Sequence, residues 1–251
     1  MTTSRHRTRA ASAGSPAATN IPGQAWVMLA VATVGFAVNF WAWALISPLG
    51  AFFTAELGLS ALQKSLLVAV PVVVGSVGRI PVGAMTDRLG ARVMFPVISA
   101  LTILPVLFIG YVGNGSYGSM LLGGLVLGLG GTTFAIGVPL VNAWFPPAKR
   151  GTALGIFGAG MGGTAISAFS TVQLKDAYGL AFPFTLVAIL LAAYAVVSYL
   201  VLRDAPGTRT PASSPEGTAN LRPERSTGVR TSGRPAAATA TGFIKGGHHA
   251  V

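Results

Sequence analysis

The chain has 251 residues, 52% of them hydrophobic and 9% charged, with a formal net charge of +11. A soluble domain carries roughly a quarter charged residues, so water is excluded as the solvent for most of this chain. No cysteine is present, which excludes disulfides and thiolate metal sites; the basic residues fall in tails and short loops rather than on one folded face, which sets nucleic acid aside as a partner.

Residues 1–24 are rich in Ser, Thr, Ala and Pro and carry Arg5, Arg7 and Arg9. Such a composition cannot bury enough apolar surface to order itself, and a disordered basic leader is expected. Six apolar runs follow, at about 25–53, 62–85, 93–112, 117–145, 152–172 and 178–202. The first is too long for the apolar core of a secretory signal, about 7–15 residues. Each is near or above the ~20 residues that cross a bilayer as a helix. Membrane strands would be about ten residues long and alternate in polarity; these runs do not alternate. The expected fold is therefore an all-α membrane protein, a bundle of six transmembrane helices over 25–204. Residues 205–251 lose apolar periodicity and turn to Pro, Thr, Ser, Gly, Ala and Arg, the composition of a disordered low-complexity tail. That tail reads either as a regulatory extension or as the remnant of a truncated or frameshifted gene.

The connections are short, which makes consecutive helices antiparallel neighbours. Leader, second loop, fourth loop and tail together hold 14 Lys and Arg, whereas the opposite loop ends hold two, Lys64 and Lys175. The short loops alone give four against two. By the positive-inside rule, a multi-pass protein of the cell membrane with both termini cytoplasmic is expected.

Arg79 is the one ionisable residue well inside a run, about 12 Å inward from Asp87. An arginine near the bilayer centre costs at least about 2.5 kcal/mol, so it is expected to face a wet cavity. Its planar fork of five donors suits bidentate capture of a planar oxyanion. The alternative is a side chain that snorkels to the headgroups. The segment Gly83-Ala-Met-Thr-Asp87-Arg88-Leu-Gly90-Ala-Arg92 joins the second and third helices. Gly83 is expected to let a neighbouring helix approach, Gly90 to form the tight turn, and Asp87 to pair with basic groups or a helix N-terminus. Such a patch could lock helix bundles in one state and release them in another.

Glycines crowd 123–131 and 155–163. They serve close helix packing, a substrate path lined by bare backbone, or both. Gly158, Gly160 and Gly163 match a dinucleotide fingerprint in spacing, yet no strand precedes them, so that reading fails. Phe134 interrupts small residues in the fourth run, and Asn39 is the one amide in the first. Asn39 is either interhelical glue or pore lining. No Asp, Glu or His lies in a run's interior, so no carboxylate or imidazole proton relay is expected. No nucleophile–base pair, metal cluster or cofactor motif is present, which sets enzymes aside.

Four segments together resemble the nitrate/nitrite porters of the major facilitator superfamily: FAVNFWAW (36–43), GRIPVGAMTDRLGAR (78–92), GLGGTTFAIGVPLVNAWFPPAKRG (128–151) and TALGIFGAGMGGTAISAF (152–169). The resemblance covers residues 26–204 and implies the N-terminal six-helix half of a twelve-helix fold. It further implies that Arg79 binds the anion, that Phe134 contacts it, and that the segment from Gly158 through Gly160 to Gly163 is the fifth-helix nitrate signature. Met161 stands where that signature has Asn. The implied partners are nitrate, nitrite or a similar small anion, the lipid bilayer, and a second six-helix half or a second copy of the chain, because alternating access needs two bundles. Two alternatives stay open: a half-carrier for another small organic anion, and a truncated fragment or accessory membrane subunit that does not transport.

Overall fold

The computed structural model describes residues 21–205, so the expected leader and tail fall almost wholly outside the described residues. Within them the chain forms α1 (Gly23–Trp43), α2 (Gly50–Leu57), α3 (Ala61–Leu89), α4 (Ala91–Tyr111), α5 (Tyr117–Leu127), α6 (Thr133–Trp144), α7 (Pro147–Gly158), α8 (Gly162–Tyr178) and α9 (Ala181–Val201). Tight 3-10 segments, Gly128–Thr132 and Ala159–Met161, join α5 to α6 and α7 to α8. Six spans are long and apolar enough to cross a membrane: α1, α3, α4, α5–α6, α7–α8 and α9.

The first run differs from the single helix expected over 25–53, because it breaks between α1 and α2. Pro48 has no N–H and disfavours helix at Ser47. The chain turns there through short-range bonds from Ser47 N–H to Ala44 O and from Gly50 N–H to Ser47 O. Gly58, at φ 61°, ends α2, and a reciprocal Ser60–Gln63 capping box starts α3. The expected second loop shrinks to one residue, Gly90 at φ 85°, a conformation that suits glycine. The fifth span outruns its expected limits of 152–172. Proline is tolerated at the first helical position, so α7 starts at Pro147, and α8 carries Lys175 on its last turn. Lys175 pairs with Asp176 at 2.6 Å and lies 4.5 Å from the Phe52 ring centroid, which ties α2 to α8.

Lipid tails are as apolar as leucine, so close packing and internal hydrogen bonds hold these helices together. Hydroxyls of Thr33, Ser76, Thr86 and Thr102 donate back to the carbonyl one turn earlier, which satisfies them inside apolar helices. The core has two parts. One gathers Phe36, Phe95, Phe157 and Tyr194 towards the Gly90 end; the other gathers Phe53, Ile109, Leu127 and Phe184 towards the opposite end. Between them in sequence and space lie Asn39, Ser99, Thr102 and the 3-10 segment after α5, a buried polar layer across the bundle.

Candidate functional site

Arg79 lies 18 residues after the start of α3 and ten before its end, about 27 Å and 15 Å from those ends. Its side chain is half-buried. Nε donates to the Gly131 carbonyl at 3.3 Å, and the guanidinium carbon stands 5.4 Å from the Phe134 ring centroid, within cation–π range. Among the described residues no carboxylate pairs with Arg79 and no acceptor meets its two terminal nitrogens. The guanidinium is therefore aimed by one carbonyl and one ring, with the outer edge of its fork free.

The glycine-rich backbone makes this possible. Gly75 of α3 crosses the 3-10 segment so closely that a Cβ on it would lie 3.0 Å from Gly128 O and 3.4 Å from Gly131 Cα. Trp43 closes the same crossing: its indole N–H donates to Pro71 O at 3.1 Å, and a Cβ on Gly131 would meet that nitrogen at 3.2 Å. Phe134 is backed by further rings, with centroids 5.7 Å away at Phe36 and 6.0 Å away at Phe157. Phe36 and Phe157 stack at 4.8 Å.

Phe157 immediately precedes Gly158, so the glycine segment of the fifth span sits one ring behind Phe134. That segment divides by face. Gly160 packs on Phe36, where a Cβ would come within 2.6 Å, and a Cβ on Gly163 would fall on the Ala37 backbone. Gly158 faces the other way, with nothing within 4 Å of a built Cβ, and Met161 is 55% exposed. Asn39 is fully buried and donates to Gly35 O and to Ser99 Oγ at 2.9 Å. Of the two roles open to it, the side chain occupies the interhelical one, between α1 and α4, while its Oδ1 has no partner among the described residues.

The loop motif departs from expectation at two positions. No helix closes on Gly83 within the described residues, since a Cβ there would meet nothing within 4 Å. The expected approach of a neighbour is therefore absent from this bundle, because α3 turns that face outward. Asp87 and Arg88 are exposed, and among the described residues Asp87 neither pairs with a basic group nor caps a helix; the carboxylate at the α4 N-terminus belongs to Asp204, which accepts from the Arg92 N–H at 3.2 Å. Sequence reasoning passed over Asp204, Trp43, Phe36 and Phe157. Phe36 and Phe40 stand one turn apart, a spacing that could have signalled a shared face; Asp204 follows the last apolar run directly, where an acid among arginines was the only hint.

The family model of the Major Facilitator Superfamily matches residues 32–246. The chain is 48% identical over 179 residues to the probable nitrate/nitrite transporter NarK2 of Mycobacterium tuberculosis, covering 71% of this chain and 45% of that protein. It is 37% identical over 174 residues to the nitrite extrusion protein of Bacillus subtilis, covering 69% and 44%. The chain thus spans about half the length of the curated relatives it matches. Among solved structures, the bacterial homologue of the human lysosomal transporter Spinster, inward-facing and unoccupied, superposes with a TM-score of 0.64 at 18% identity, covering 80% of this chain and 47% of that one; at that identity the likeness speaks to the fold alone. The six apolar spans, their helical architecture and the family match make this chain a multi-pass membrane protein of the Major Facilitator Superfamily.

Proposed function

We propose that the chain is one half of a carrier for a small oxyanion, nitrate or nitrite, and that Arg79 holds the anion at the interface with a second six-helix unit. The observation that carries this reading is the guanidinium itself: fixed by Gly131 O and the Phe134 ring, unpaired with any described carboxylate, and free along the edge that can donate two parallel bonds. A charge kept in an apolar setting without a protein counter-ion is balanced when a negative solute binds. The relatives' names support the substrate class.

In this reading Phe134 is the wall beside the anion, and Gly158 with Met161 belongs to the same translocation face. Met161 brings a thioether where an amide would donate a hydrogen bond. Gly160 and Gly163 serve that face from behind by bringing the fifth span close to α1. The second unit covers the exposed sides of α3 and α8, where Val77, Ile80 and Phe169 lie open, and rocking between two bundles exposes the site to each side in turn. The loop motif stands on the cytoplasmic side with both termini, by the distribution of Lys and Arg.

Nitrate uptake by cells expressing the chain, set against Arg79→Lys, tests the reading. A point charge cannot replace a planar fork, so uptake at low nitrate is expected to fall about tenfold or more, the equivalent of ~1.4 kcal/mol or more from a charge-assisted bond. Equal uptake by both, above that of cells lacking the chain, would remove Arg79 from the site.

A further inference from the structure

The chain leaving α9 does not simply run off the bundle. The Arg203 N–H donates to the Met28 sulfur of α1 at 3.2 Å, and the Arg203 carbonyl accepts from the Trp144 indole N–H of α6 at 3.0 Å. The next residue, Asp204, accepts from the Arg92 N–H at the start of α4. Leu202 and Ala205, on either side, are buried. Three helices, α1, α6 and α4, are thus tied by two residues. The carboxylate has a seat made for it, because a Cβ on Gly90 would lie on the Asp204 side chain. Gly90 therefore answers two demands: a φ of 85° for the turn and empty space for a carboxylate from the chain that leaves α9. A negative charge at a helix N-terminus meets orphan backbone N–H groups and the positive end of the dipole.

We infer that residues 202–205 form a conformational strap, with Asp204 as its catch on the α3–α4 turn, coupling the chain that leaves α9 to the Gly90 loop. Asp87, Arg88 and Arg92 are exposed, and Asp204 meets the Arg92 backbone N–H, so the strap fixes the backbone of that loop with no ion pair to its charges among the described residues. A cavity of about 340 Å³ runs beside the catch, lined by Arg88, Gly90, Leu140 and Asp204 among others, which gives the carboxylate room to swing out when the loop moves. Movement of the α3–α4 turn then releases the chain after α9, and a pull on that chain loosens the turn.

Two measurements test the strap without requiring transport. Hydrogen exchange of the full chain in membranes reads the Arg92 amide directly: it is expected to be protected, and to exchange at least about tenfold faster in Asp204→Ala, while Asp204→Asn, whose amide oxygen still accepts, stays within about threefold of the parent. The chain has no cysteine of its own, so Ala205→Cys provides a single thiol for maleimide. Its alkylation is expected to be about tenfold faster with Asp204→Ala, and also faster with Trp144→Phe, which removes the indole donor without touching the carboxylate. Arg92 exchange unchanged by Asp204→Ala would overturn the proposal, as would an Ala205→Cys thiol that reacts at one rate in all three backgrounds.

Discussion

The fourth and fifth spans share a composition and differ in what their glycines meet. Both are interrupted at mid-span by a 3-10 segment within a glycine-rich stretch. In the fourth, a Cβ on Gly123, Gly124, Gly128, Gly130 or Gly131 would run into α1, α3 or α4. In the fifth, Gly160 and Gly163 press on α1, whereas Gly151, Gly155, Gly158 and Gly162 meet nothing within 4 Å. Those four recur at intervals of three and four, a single helical face. Glycine in the 123–131 stretch of the fourth span is therefore spent on packing, and that packing brings Gly131 O to Arg79. The fifth span keeps one glycine face for its own bundle and turns another outward, as a surface to which a second unit or a solute can come close.

Substitutions break or sharpen this contrast in a definite order. Gly163→Ala has the largest expected effect, because the new carbon falls on backbone atoms of Ala37 that have no room to move. A loss of about 3 kcal/mol or more is expected, read as a collapse of the melting temperature of the purified chain. Gly131→Ala comes next. Its Cβ would sit 3.2 Å from the Trp43 indole and 3.4 Å from Gly75 Cα, and a cost of about 1–3 kcal/mol is expected, with weakened anion binding because the carbonyl that aims Arg79 shifts. Gly158→Ala is the smallest and has the opposite sign: with open space around it and a helical φ of −60°, the substitution is expected to stabilise the isolated chain by up to about 1 kcal/mol. Should Gly158→Ala destabilise the chain as much as Gly163→Ala, the division of the fifth span into two faces would be wrong.

The six spans were legible because length and apolarity alone decide them, and Arg79 stood out as a candidate because a lone ionisable residue in an apolar run has few physical reasons to exist. What the runs hide is where helices change pitch. Nothing in GLVLGLGGTTF separates an α-helix from one with a 3-10 turn, since glycine is compatible with both, and the residues that meet this segment, Gly75 and Trp43, come from other spans. The first span's break at Pro48 was signalled by its proline, yet Pro71 and Pro81 lie inside α3 without ending it, so proline alone does not decide. At the site, Phe134 was reached through family resemblance, and the rings behind it, Phe36 and Phe157, come from spans one and five, a meeting that only the topology creates. Asn39 shows the same limit: its chemistry allowed two roles, and the position of Ser99 on α4, 60 residues away in sequence, selected the interhelical one.

Everything functional turns on whether the free edge of the Arg79 guanidinium looks into water that an anion can reach. The chain has no cysteine, so Arg79→Cys offers one thiol to a charged, membrane-impermeant methanethiosulfonate reagent. The account predicts modification of that thiol from the aqueous phase; a thiol that only a lipid-soluble reagent can modify would contradict it.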